Sequence, residues 1–307
     1  MTDATAPSKG SWPRAFWAGL LSLILPGIGH VYAGAWRLGI ALYLALLAFN
    51  VLAIVLSKLV PPTPGTVLGL FGVLFAFVII DLIIATDAMR RVRIAHWRGP
   101  VPWYRSTWLA VIVAAGTQSA FFFGNPFGWQ AFREPSYAEE PTLQMNEIFI
   151  ADMRREGAEP AYGDLVIFQL PNYPRGAFFF KRVVGLPGDR VQMRHGNLYL
   201  NGAAVPHEAR RPYLGAGAYQ ANLTEHRETM PNGRSYGTLQ ASGAERGADT
   251  EEFTVPPGSV FVLGDNRYAS KDSRYPDVGY VPIANIIGSP RVIHGSEDPS
   301  RLFTRVE

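Results

Sequence analysis

The sequence predicts a multi-pass α-helical membrane region followed by a mainly β extracytoplasmic domain. Three observations carry this reading. The first 125 of the 307 residues are apolar and poor in acidic side chains, although the chain as a whole is 48% hydrophobic and 17% charged. That first part contains runs long enough to cross a hydrocarbon core about 30 Å thick, which takes roughly 20 helical residues. Beyond Gly124 the pattern changes to short β-rich runs separated by turn residues. The domain boundaries that follow are 1–124 for the membrane part and 125–307 for the β-rich part.

Taken in order, the first apolar run, Ala15 to Leu25, is cut off by Pro26-Gly27 and Gly29. It reads as a re-entrant or interfacial helix, or as a short span. A cleaved signal peptide fits less well, because no small-residue cleavage site leads into a soluble domain there. Three full spans are expected at Leu38 to Ser57, Thr66 to Thr86 and Thr107 to Phe123, with Asn50, Asp81 and Gln118 as their notable polar residues. Arg90, Arg91, Arg93, Arg98 and Arg105 lie between the second and third spans, and Arg37 precedes the first. Short loops rich in Lys and Arg stay cytoplasmic, so the third span delivers the rest of the chain to the extracytoplasmic face. Asp81 reads either as a functional intramembrane acid or, the plainer reading, as an acid near the cytoplasmic end within reach of arginines. The segment Pro26 to Gly39, PGIGHVYAGAWRLG, looks like a small two-helix membrane module whose small residues permit close packing.

In the second half, strands are expected at Asp164 to Leu170, Phe178 to Val184, Leu198 to Leu200 and Ser259 to Leu263. Asn201-Gly202 is a hairpin signal, since both residues tolerate positive φ. Residues 203–252 carry few apolar side chains and read as an inserted, partly irregular subdomain. The chain has no cysteine, which excludes disulfides, thiolate catalysis and Cys-based metal sites. Its six histidines show no metal-ligand spacing. Neither a metal nor a cofactor is expected. With a net charge of only +3, the arginines are better explained by membrane topology than by nucleic acid, which is not an expected partner.

Four segments occur in an order that identifies a family. They are PSYAEEPTL (Pro135 to Leu143), GDLV (Gly163 to Val166), KRVVGLPGD (Lys181 to Asp189) and GDNRYASKDSR (Gly264 to Arg274), with weaker similarity in ETMPNG (Glu228 to Gly233) and FTVPPG (Phe253 to Gly258). Together they resemble the signature boxes of signal peptidase I, over about residues 130–290. The resemblance implies a membrane-bound peptidase fold of the bacterial cytoplasmic membrane, with its domain on the periplasmic or extracytoplasmic side. The family removes signal peptides from exported preproteins with a serine nucleophile and a lysine base. A serine hydroxyl needs such a base, and a lysine can serve only if burial keeps it neutral. By the resemblance Lys181 is the base, and its flanking Phe178, Phe179, Phe180, Val183 and Val184 supply an apolar setting. Ser270 would position the lysine amine, Asp272 and Arg274 would form a supporting ion pair, Gly264 and Asp265 would shape the turn, and Arg182 belongs to the supporting set.

One departure matters. The ungapped match places Ser136 on the family's first serine, which is associated with the oxyanion, Ala138 on the nucleophile and Glu139 on an apolar methionine. A methyl group cannot attack a carbonyl. Ser136 is the candidate substitute nucleophile, but two residues along an extended chain displace a side chain by roughly 6.6 Å. Glu139 has two placements: beside the lysine, where it would favour the charged amine, or toward solvent as a changed surface.

The leading expectation is therefore a non-catalytic homologue that binds or regulates. Its partners would be signal peptides or exported preproteins in extended form, the lipid bilayer, and an active signal peptidase or the secretion machinery. The competing expectations are an active serine endopeptidase using Ser136 with Lys181, and a membrane scaffold or transporter built on the apolar helices. An engineered Ser-to-Ala trap would explain Ala138 but not Glu139.

Overall fold

The computed structural model describes residues 12–24, 26–94, 128–155, 159–170, 173, 177–213, 222–241 and 247–306. The chain divides into two compact units, one before Gly128, whose described residues are mostly helical, and a β-rich one from Gly128 onward.

In the helical unit, α1 (Trp12–Ile24) has 13 residues and is about 20 Å long, too short to cross a bilayer upright. The turn after it leads into the single-turn α2 (Ile28–Tyr32) and then α3 (Trp36–Leu59). α4 (Pro64–Ile94) begins on a proline, whose fixed φ suits a first helical position, and ends among Arg90, Arg91 and Arg93, where positive charge complements the helix C-terminus. Among the described residues α4 is the one helix long and apolar enough to cross a membrane, and the apolar run Trp36–Phe49 within α3 is shorter. The expected third span, Thr107 to Phe123, lies outside the described residues.

Small residues bring these helices together. Ala15 and Ala18 of α1 pack on Ala88 and Val92 of α4. A Cβ on Gly29 would fall 2.1 Å from the Ala18 carbonyl oxygen and 2.8 Å from the Ala88 side chain. Asp87 accepts hydrogen bonds from buried His30 (2.9 Å) and from Arg91 (2.7 Å), so the arginine contact considered for Asp81 is made instead by the next acid along the helix.

The β unit is built on a seven-stranded antiparallel sheet. Its strands are β1 (Trp129–Arg133), β2 (Ile148–Asp152), β3 (Leu165–Phe168), β4 (Phe179–Gly185), β12 (Ser259–Leu263), β13 (Val281–Pro282) and β14 (Ile286–Gly295), in the order β1-β2-β14-β3-β4-β12-β13. A four-stranded sheet joins β5 (Arg190–Arg194), β6 (Asn197–Leu200), β7 (Ala203–Ala204) and β11 (Phe253–Thr254) in the order β11-β5-β6-β7. The hairpin from β6 to β7 turns on Asn201 and Gly202, with φ of 53° and 84°. Val184, Val191, Met193, Leu198, Phe261 and Leu263 form a core shared by the two sheets. Phe132, Phe149, Ile167 and Phe180 fill another, with rings 5.1–6.0 Å apart in mostly edge-on contacts.

The stretch expected to be an inserted, partly irregular subdomain carries a third sheet. β8 (His207–Pro212), β9 (Leu223–Thr229) and β10 (Ser235–Ala241) are antiparallel in the order β10-β9-β8. β9 reads LTEHRET and β8 reads HEARRP. The polarity of β8 and β9 hides the pattern: β8 is largely exposed, and the sheet buries Leu223, Tyr236 and Leu239 together with the charged Glu225 and Glu228.

Candidate active-site region

The first box forms the loop between β1 and β2. Glu134, just before it, is buried and tied at both ends: its N–H donates to the Glu147 carbonyl (2.9 Å) and its carbonyl accepts from Asn146 N–H (2.8 Å). Its carboxylate holds Ser136 twice, accepting from the backbone N–H (3.1 Å) and from Oγ (2.8 Å). Ser136 Oγ also accepts from Ala138 N–H at 3.3 Å. Among the described residues no hydrogen bond joins Ser136 to Lys181. The serine expected as oxyanion donor or substitute nucleophile instead braces its own loop.

Ala138 is buried, and its carbonyl accepts from Asn266 N–H (3.0 Å), which fastens the first box to the fourth. Gly264 closes the same contact. A Cβ there would lie 2.1 Å from Ser270 Oγ and 2.7 Å from the Ala138 carbonyl oxygen, so only glycine fits.

Lys181 sits on β4 opposite Val166 of β3, almost completely buried. Its Nζ donates to Glu139 Oε1 at 2.7 Å and to the Phe180 carbonyl at 2.8 Å. Of the two placements open to Glu139, the structure takes the inward one: the residue is 0% exposed. The reading of this charge as a changed surface is corrected. A flexible two-methylene stem beside the lysine gives the carboxylate a partner that solvent-facing placement would forgo. Burial alone would lower the Lys181 pKa, but Glu139 in contact, with Glu134 and Asp272 behind it, holds the amine above its usual value. It therefore stays an ammonium at neutral pH. Burial raises the Glu134 carboxyl, with Lys181 and Ser136 opposing. Among the described residues no hydrogen bond joins Ser270 to the lysine amine, whose partners are Glu139 and the Phe180 carbonyl. Ser270 Oγ is buried without a well-formed hydrogen bond, near enough to Asp272 to favour that carboxylate's ionised form.

Three bidentate arginine–carboxylate pairs brace the boxes, one within the fourth box and two between segments. Asp272 receives Arg274 Nε (2.8 Å) and Nη2 (2.9 Å), and Arg274 also donates to the Arg267 carbonyl (2.9 Å). Burial works against the Asp272 carboxylate, but Arg274 outweighs it and keeps the pKa below the usual range. Asp265 receives Arg182 Nε (3.0 Å) and Nη2 (2.6 Å), while Arg182 Nη1 donates to the Gly163 carbonyl of the second box (3.0 Å). Gly163 has a φ of 78°, which a side chain would strain. Thr142 of the first box donates to Asp265 (2.5 Å) and accepts from Arg182 (3.1 Å). The third pair was not anticipated. Arg267 donates to both oxygens of Glu228 at 2.6 Å, and Tyr236 Oη donates to Glu228 at 3.0 Å. Glu228 and Tyr236 come from the inserted sheet, and no local pattern marks them as partners of the fourth box. No group of three His, Cys, Asp or Glu suited to a metal occurs among the described residues.

A family model described as "Signal peptidase, peptidase S26" matches residues 103–294. Signal peptidase I of Rickettsia prowazekii (strain Madrid E) is 30% identical over 187 residues, covering 59% of this chain and 69% of that one. Signal peptidase I of Rickettsia typhi (strain ATCC VR-144 / Wilmington) is 36% identical over 141 residues, covering 44% of this chain and 52% of that one. A crystal structure of a signal peptidase I from Enterococcus faecalis V583 is 32% identical, covers 43% of this chain and 96% of that one, and has a TM-score of 0.26. A mainly β peptidase domain joined to an apolar helical region defines the class, and the chain belongs to the signal peptidase S26 family.

Proposed function

We propose that this chain is a non-catalytic signal peptidase homologue that binds or regulates exported or membrane proteins. The observation that carries the reading is the 2.7 Å contact between Lys181 Nζ and Glu139, next to an alanine at the position matched to the nucleophile. General-base chemistry needs an uncharged amine and a hydroxyl in reach of it. Here the amine is held as an ammonium, and the nearest serine of the box gives its hydrogen bond to Glu134. In this reading Lys181 and Ala138 occupy the places of base and missing nucleophile. Ser136, Gly264, Asp265, Arg182, Ser270, Asp272 and Arg274 keep the frame in which a peptide is held in extended form, paired as an added strand.

The chain would sit in the bacterial cytoplasmic membrane as a multi-pass protein with the β unit on the extracytoplasmic side. Its partners would be signal peptides or preproteins, and an active signal peptidase or the secretion machinery.

The test is a cleavage assay with the full chain in detergent or liposomes and a radiolabelled preprotein, beside a binding assay with a fluorescent synthetic signal peptide. Binding without cleavage is expected. Cleavage by the unmodified chain that disappears in both Ser136→Ala and Lys181→Ala would overturn the proposal in favour of a Ser136–Lys181 peptidase.

A further inference from the structure

The Lys181–Glu139 contact differs in kind from the missing hydroxyl at position 138. Losing a nucleophile leaves a base with nothing to deprotonate, whereas adding a carboxylate removes the base itself. The two changes stand on adjacent residues and act on opposite partners of one proton transfer.

Geometry makes the second change effective. Lys181 side-chain exposure is 7% and that of Glu139 is 1%, so water neither screens the pair nor competes for it. The ammonium has three N–H donors, of which one is committed to Glu139 and one to the Phe180 carbonyl. The charged groups around the pair are Glu134, Asp265, Asp272 and Arg182. Asp265 is neutralised by Arg182 and Asp272 by Arg274, each through two hydrogen bonds. Glu134 stands behind, with its carboxylate taken up by the Ser136 N–H and Oγ rather than by Lys181. Glu139 is therefore the carboxylate in direct contact with the ammonium.

We propose that Glu139 is a positioning residue that locks the site independently of Ala138, by occupying Lys181 Nζ and keeping it protonated. A serine at 138 would then meet an amine with no lone pair to receive its proton. Restoring cleavage requires both a hydroxyl at 138 and the removal of the carboxylate at 139. This rests on the non-catalytic reading above and states what enforces it.

The experiment compares four full-length chains on the same preprotein: unmodified, Ala138→Ser, Glu139→Met and the double variant. Cleavage is expected in the double variant alone. Ala138→Ser cleaving as fast as the double variant would overturn the lock while leaving the non-catalytic reading intact. Cleavage by the unmodified chain would overturn that reading instead.

A second readout does not depend on turnover. Glu139→Gln keeps the size and shape of the side chain and removes its charge, so burial, which lowers the lysine pKa, is opposed only by the more distant Glu134 and Asp272. Acetylation of Lys181, followed by peptide mass spectrometry across a pH series, should shift to lower pH in Glu139→Gln. Reactivity near neutral pH should rise about tenfold for each unit the pKa falls. Identical profiles in the two chains would overturn the lock, whatever the double variant does.

Discussion

At the scale of single residues, a buried carboxyl makes pH an informative variable. Glu140 is 1% exposed, and burial lifts its pKa to about 7, with the Tyr213 hydroxyl, the Met145 backbone and Arg301 offsetting only part of the effect. Its folded value lies above its unfolded one. The stability it contributes as a neutral group is therefore complete below about pH 4.5 and is lost as pH rises through about 7. Glu140→Gln should raise the stability of the detergent-solubilised full chain at about pH 8. The expected gain is on the order of 1–2 kcal/mol once solvent screening is allowed for. The gain should shrink toward zero at about pH 5. Thermal melts of both chains at the two pH values check this, and an equal difference at both would refute it.

The elements contribute through what they carry to one place. β4 delivers Lys181 and Arg182 side by side, and the turn after β12 returns Asp265 and Arg267. β9 of the inserted sheet supplies Glu228, which the fourth box needs. Removing one partner of a buried ion pair strands the other charge, at a cost of about 3–5 kcal/mol, whereas replacing both with apolar groups of similar size is often close to neutral. Glu228→Leu should therefore destabilise the chain by that amount. Adding Arg267→Met should recover most of the loss, as read from denaturant or thermal unfolding. Additive losses in the double variant would show that β9 contributes through its strand pairing and not through the charge it delivers.

The whole molecule joins a helical unit to a β unit, and their placement about a bilayer can be tested directly because the chain has no cysteine. Single cysteines introduced at exposed Glu252 in the β unit and at exposed Arg90 near the end of α4 report the two sides without background. With the proposed sidedness, a membrane-impermeant maleimide applied to spheroplasts should label the cysteine at 252. It should reach the one at 90 only after the membrane is broken. The opposite pattern would reverse the topology.

Much of this was legible before any coordinates. The apolar run Thr66 to Thr86 lies within α4, the strands at Leu165–Phe168, Phe179–Gly185 and Ser259–Leu263 follow their β-branched and aromatic runs, and Asn201-Gly202 turns its hairpin. Local chemistry fixes such features, because helix periods, strand propensity and turn dihedrals depend on residues a few positions apart. The four boxes identified the family for the same reason. The direction of Glu139 was not legible, nor were the partner of Arg267 and the sheet within residues 203–252. Glu139 is 42 positions from Lys181, and Glu228 is 39 from Arg267. A charge buries itself only where the fold supplies its counter-charge, and no local pattern records where that will be. The sequence by itself determined the boxes of the family and the alanine at the position matched to its serine, because these are local patterns; the tertiary structure alone decided that the neighbouring Glu139 turns inward onto Lys181.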